Sequence, residues 1–301
     1  MRLSRPLLVG LACVALVAPA AARAADPGRW VETGNSPIPV EYYQGVTTDP
    51  GGDFFFDGIQ VGVYRTGPLL TEEARSESAI PLDVYLRERY NHIGDLTWDK
   101  REGGRLLLPL ECYLPFFGNI CKTGSIAVAD PETLQWRYYV KLDKAFIDKA
   151  MWAEVSPNGQ LLWTSSGSGD DLLAYRVKDI APRNAAPDAP PLKPVRVLEG
   201  AVPPSGITGA AFYGKRLYLA GQDGGPFRVW SVDLRDGSRR LEIEQPIIGE
   251  SEGLEVVDAL GGVLHWLVTP YQPGGGTRPP TYGRTNVLAH FVPASGTKKN
   301  R

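Results

Sequence analysis

The chain has 301 residues, of which 22% are charged, and its formal net charge is −2. Basic residues gather only at Lys298, Lys299 and Arg301, so the electrostatic footprint of a nucleic-acid binder is missing. Beyond the N-terminal segment no apolar run reaches the roughly 20 residues that a membrane span needs.

In chain order, Arg2 and Arg5 precede an apolar run over 7–18 and the small-residue site Ala22-Arg23-Ala24. This pattern predicts a signal peptide over 1–24. A single domain is expected over 25–293, followed by a frayed basic tail over 294–301. Lipidation at Cys13 is the weaker alternative, because Cys13 lies inside the apolar run. The mature protein is expected to be secreted or periplasmic, soluble and monomeric. With Cys13 removed, Cys112 and Cys121 remain, and in an oxidising compartment they predict a disulfide closing a short loop.

The rest of the chain is short β-rich runs separated by Gly and Pro turns. Five segments repeat: Gln44-Gly45-Val46-Thr47, Gly94-Asp95-Leu96-Thr97, Ala153-Glu154-Val155-Ser156, Thr208-Gly209-Ala210-Ala211 and Glu252-Gly253-Leu254-Glu255. Each is followed by a turn and an apolar strand, over 53–57, 105–109, 160–164, 215–220 and 263–268. Third strands follow over 61–65, 125–130, 172–177, 228–233 and 286–292, and fourth strands over 136–142, 195–199 and 239–244. The starts lie 50, 59, 55 and 44 residues apart, close to the roughly 40–50 residues of a four-stranded blade. The fold class is therefore all-β, a β-propeller of about five blades. Six remain possible if 66–91 hides a further blade element near 84–88. The last unit lacks an outer strand, and the segment around Trp30 is expected to supply it, closing the ring by pairing the two chain ends. A short helix or a surface turn is expected over 144–151.

In a propeller the first strand of each blade lines the axis, so the repeat starts converge. Gln44, Asn91, Trp152 and Thr208 are candidate channel or ligand residues. Asp95, Glu154 and Glu252 would repel one another unless a cation neutralised them, and calcium suits such an oxygen-rich set. Ordinary solvated channel residues are the alternative. His92, beside Asn91 and close to Asp95, is the candidate general base. His265 and His290 fall in predicted strands and read as packing or surface residues. No nucleophile elbow supports Ser-His-Asp catalysis.

Glu252-Gly253-Leu254, Glu154, Asp95 and Asn91-His92 resemble the calcium-dependent propeller hydrolases of the senescence-marker-protein, gluconolactonase and paraoxonase group. That resemblance implies a channel calcium and lactonase or esterase activity, although those enzymes have six blades. Gln44-Gly45-Val46 also resembles the entry of plant-type glutaminyl cyclotransferases, which have five. Two functions are therefore expected: a propeller that binds a small molecule, glycan or protein at its channel mouth, or a calcium-dependent hydrolase.

Overall fold

The computed structural model describes residues 30–58, 62–114, 117–167, 169–185, 188–222, 226–247, 249–258, 261–272, 281–282 and 286–294. The predicted signal peptide, and the tail beyond Ala294, lie outside these residues.

Five antiparallel sheets form a five-bladed β-propeller. Blade 1 is Gly45–Thr48, Phe54–Asp57, Val63–Thr66 and Glu72–Ser76, paired in that order. Blade 2 has a split inner strand, His92–Ile93 and Thr97–Asp99, followed by Arg105–Glu111, Ser125–Ala129 and Trp136–Lys141. Blades 3 and 4 begin at Glu154–Val155 and Gly206–Tyr213, and end at Arg196–Leu198 and Arg239–Gln245. Blade 5 contains Gly249–Val257, Val263–Gln272 and Asn286–Pro293, and its outer strand is Trp30–Ile38 from the start of the chain. Trp30 faces Pro293 and Ile38 faces Asn286 in that ladder, so the expected closure is present. Among the described residues no sixth blade forms. Residues near 84–88 belong to a helix, Leu82–Glu88, and 144–151 holds turns without a helix.

Alternation within the middle strands builds the ring, because successive side chains point to opposite faces of a blade. Leu106, Leu108 and Leu110 pack with Phe55 and Val63 of blade 1, whereas Leu107 packs with Leu162 and Leu173 of blade 3. The same device fills every interface. Trp163 of blade 3 joins Leu217 and Leu219 of blade 4. Tyr218 and Ala220 join Trp266 and Phe291 of blade 5. Leu267 and Leu288 meet Val46, Phe54 and Phe56 of blade 1, which completes the circle.

Two covalent features shape the site. Cys112 and Cys121 are joined as a disulfide across the hairpin of Tyr113–Leu114 and Gly118–Asn119. Pro109 lies in the second strand of blade 2, opposite the break in the inner strand. Its carbonyl accepts from the Gly94 N–H, but Pro has no N–H to return. The inner strand is therefore free to leave its ladder at Gly94 to Leu96. It turns toward blade 3, where Asp95 forms an isolated parallel bridge with Trp152.

Candidate functional site

Asp95 is wholly buried on the axis of the ring and touches all four other blades. Its backbone N–H donates to the Met151 carbonyl, and its carbonyl accepts from the Ala153 N–H of blade 3. Its side chain does the rest. Oδ1 accepts from the Val46 N–H of blade 1 (3.0 Å), and Oδ2 accepts from Ala210 of blade 4 (2.8 Å) and Leu254 of blade 5 (3.3 Å). Burial raises the carboxyl well above its usual range, and the three N–H donors oppose that shift. The approach is close enough to forbid side chains on neighbouring strands. A Cβ on Gly253 would lie 2.6 Å from the Val46 nitrogen and 2.7 Å from Asp95 Oδ1, and one on Gly94 would lie 2.0 Å from the Met151 carbonyl oxygen.

Asp95 thus separates two groups of acids. Toward the end where the inner strands finish, Thr47 Oγ1 and the Thr48 N–H donate to Glu255 Oε2 (2.8 and 2.9 Å), and Thr97 Oγ1 donates to Glu154 Oε2 (2.7 Å). Burial raises both carboxyls and each feels the electrostatics of this end, Glu255 reaching about 7. Toward the end where the inner strands begin lies a larger cluster of mostly buried acids, the acidic chamber. The register returns two second-strand residues to this mouth, since Asp57 pairs with Gly45 and Glu111 with His92. Blade 5 adds Glu250 and Glu252, and the connection from blade 2 to blade 3 adds Asp148 and Lys149.

The Asp57 side chain is completely buried, and neither of its oxygens has a well-formed hydrogen bond. Burial pushes its carboxyl well above the usual range, Asp95 and Glu111 add repulsion, and the nearby Gly45 N–H only partly offsets them. Glu252 is raised in the same direction by burial, then by Glu250, Glu111 and Asp57. Tyr43 donates its hydroxyl to Glu250. Glu111 is raised by burial, while Lys149, 3.4 Å away, pulls it back. The His92 imidazole is lowered by burial and by Lys149, so it is neutral at pH 7, and its Nδ1 is buried without a partner. Among the described residues the chamber therefore combines five carboxyls, Asp57, Glu111, Asp148, Glu250 and Glu252, with Lys149.

The sequence-predicted residues occupy several settings. His92 lies at the chamber, as does Glu252. Gln44 is half-buried at the same mouth, its N–H bonded to the Asp57 carbonyl. Asn91 clamps the stapled hairpin, with Nδ2 donating to the Tyr113 carbonyl (2.6 Å) and Oδ1 accepting the Tyr113 N–H (2.8 Å). Thr208 ties blade 4 to blade 5 through the Ser251 carbonyl (2.6 Å). Trp152 is a core residue with no exposed surface, its indole N–H donating to Ser165 Oγ, so it lines no ligand pocket.

Asp95, Glu154 and Glu252 do not converge on one point. Asp95 is occupied by N–H donors, Glu154 keeps company with Glu255, and Glu252 with Glu250. Among the described residues no three His, Cys, Asp or Glu side chains are grouped to hold a metal ion. Of the expected calcium ligands, Asp95 has both carboxylate oxygens engaged by backbone N–H groups. Sequence reasoning missed Asp57, Glu111, Glu250, Lys149 and Glu255. A signal for Glu255 was present, because the fourth position of each repeat lies two residues beyond the axial second position and so shares its face.

No family model matches the chain. No curated protein sequence matches it either. Among solved structures, it resembles a glutaminyl cyclase from Myxococcus xanthus at 12% identity, over 89% of this chain and 99% of that one, with a TM-score of 0.53. That likeness shows a shared propeller fold. An aldose sugar dehydrogenase from Streptomyces coelicolor, solved with PQQ bound, aligns at 10% identity over 88% of this chain and 99% of that one, with a TM-score of 0.44. Among the described residues no helix is long and apolar enough to cross a membrane.

Proposed function

We propose that this propeller is an exported binding protein whose acidic chamber holds a small ligand through a protonated amine. One observation carries the reading: Asp57 is wholly buried, has no well-formed side-chain hydrogen bond, and lies near Glu111, Glu252 and Asp95. An acid in that position is costly unless a cation or protons neutralise it. An ammonium group offers three donors and a positive charge, which match unsatisfied carboxylate oxygens. The predicted signal peptide and the Cys112–Cys121 disulfide support export.

The test is calorimetric titration with ethylamine and with its neutral analogue acetamide. Ethylamine is expected to bind and acetamide to bind at least tenfold more weakly. Glu252→Gln should weaken ethylamine by about tenfold through loss of one charged contact. Equal affinities for the two compounds would refute the reading.

A second reading is favoured by Gln44-Gly45 at the chamber mouth together with the raised carboxyls beside it. The amine of an N-terminal glutamine would attack its own side-chain carboxamide and release ammonia, with Glu252 or Glu111 accepting the ammonium proton. The fold shared with the Myxococcus xanthus enzyme is compatible with this chemistry. Ammonia release from a glutamine-initiated dipeptide, measured against its N-acetylated form, is the check.

A further inference from the structure

The acidic chamber has an apolar neighbour that its own chemistry does not explain. The disulfide-closed hairpin from Cys112 to Cys121 exposes Tyr113 (47%), Leu114 (41%), Phe117 (76%) and Ile120 (37%). So many exposed apolar side chains in one short, braced element are unusual for a surface and mark a contact region. The hairpin is also fastened to both walls of the chamber. On one side Asn91 holds the Tyr113 backbone, and the Tyr113 ring meets the His92 ring edge-on at 5.6 Å. On the other side Asn119 Nδ2 donates to Asp148 Oδ2 (3.2 Å), next to the Lys149 that pairs with Glu111. Glu111 itself directly precedes Cys112. The Ile120 N–H donates to the Cys112 carbonyl inside the staple, so the apolar side chains ride on a closed ring of backbone and disulfide.

We infer that the ligand of the chamber is a primary amine carried on an aromatic or branched aliphatic body, with the stapled hairpin as the wall that receives that body. This inference rests on the amine-binding reading above. It extends that reading from the charge of the ligand to its shape. Acidic groups and apolar surface lie side by side at one mouth, and only an amphipathic cation satisfies both. Because the hairpin is covalently closed and tethered at each end, little ordering cost accompanies contact.

Titrations of the full mature chain with ethylamine, phenethylamine and N-acetylphenethylamine test this. Phenethylamine is expected to bind about tenfold or more tightly than ethylamine, as removal of one aromatic ring from water implies. N-acetylphenethylamine, which lacks the charge, is expected to bind much more weakly. Phe117→Ser and Leu114→Ser alter exposed positions; together they should reduce phenethylamine to nearly the affinity of ethylamine and leave ethylamine unchanged. A phenylalanyl-glycine amide arm distinguishes the sources, since tighter binding than phenethylamine points to a peptide end and weaker binding to a free amine. Equal binding of ethylamine and phenethylamine overturns the hairpin inference while leaving the chamber reading intact. Absence of binding by every amine overturns both. Loss of ethylamine and phenethylamine to the same extent in the double variant also overturns the hairpin's role.

Discussion

The Asp95 carboxylate accepts a 2.8 Å hydrogen bond from the Ala210 N–H, joining two blades whose residues lie 115 positions apart. With Val46 and Leu254 as its other side-chain donors and Trp152 as its backbone neighbour, Asp95 makes the centre of the ring a point of contact instead of an open bore.

Asp95→Ala should leave three buried N–H groups without acceptors, at a cost of roughly 3–5 kcal/mol. Asp95→Asn keeps the shape but turns an NH2 toward one set of donors, so it should be destabilised by less. Urea denaturation at pH 7 checks both. An Asp95→Ala protein within about 1 kcal/mol of the parent would remove the residue from its central role.

The outer strand of blade 5 should matter to the whole domain. Trp30 packs edge-on against Tyr213 (5.2 Å) and Tyr218 (5.8 Å), and its strand covers the otherwise open edge of Asn286–Pro293. Removing residues 25–34 is expected to lower the melting temperature of the entire protein and promote aggregation, and Trp30→Ala alone to cost about 3–5 kcal/mol. A melt unaffected by the truncation would contradict this.

Opposing pH effects are built into blade 5. His265 Nδ1 lies 2.9 Å from His290 Nδ1, and His290 Nε2 lies 2.9 Å from Ser36 Oγ on the closing strand. Burial, then His290, lowers His265 to about 4. A lowered histidine contributes stability in full above about pH 6.5, and that contribution is lost as pH falls through 4. Glu255, raised to about 7 chiefly by burial, behaves in the opposite sense. Its contribution is complete below about pH 4.3 and is lost as pH rises through 7. The two slopes oppose each other between pH 4.5 and 6.5, on the order of 1 kcal/mol per pH unit each. His265→Phe should uncover a steeper gain in stability on acidification, and Glu255→Gln a steeper loss. Chemical denaturation at pH 5, 6 and 7 reads both, and unchanged slopes in either variant would refute its assignment.

The ring and its closure were legible because they rest on local patterns. The five starts, the turn after each, and the missing outer strand of the last unit are all visible in the chain, as is the pairing of Cys112 with Cys121. The site was less legible. Asp57 ends a strand that reads as apolar, Glu111 lies just past one, and only antiparallel register brings them back to the mouth where His92 begins its blade. Asp95 was singled out, but its role depends on Pro109 opening the ladder opposite it, a relation between strands that no spacing along the chain encodes. Trp152 shows the converse: adjacency to an axial strand suggested a pocket, whereas its ring turned into the packing between blades 3 and 4.

The pairing of Trp30 with Pro293 also fixes an order of events. The first described strand has no partner until the last one exists, so blade 5 cannot be completed while the C-terminal strand is still absent. Blades 1 to 4 are each made from neighbouring stretches of chain and can form early, whereas the final seam joins segments separated by nearly the whole sequence. Contacts of such long range are slow to form. Until that seam closes, the newly made protein carries two unpaired strand edges and is most exposed to misassociation with its own copies.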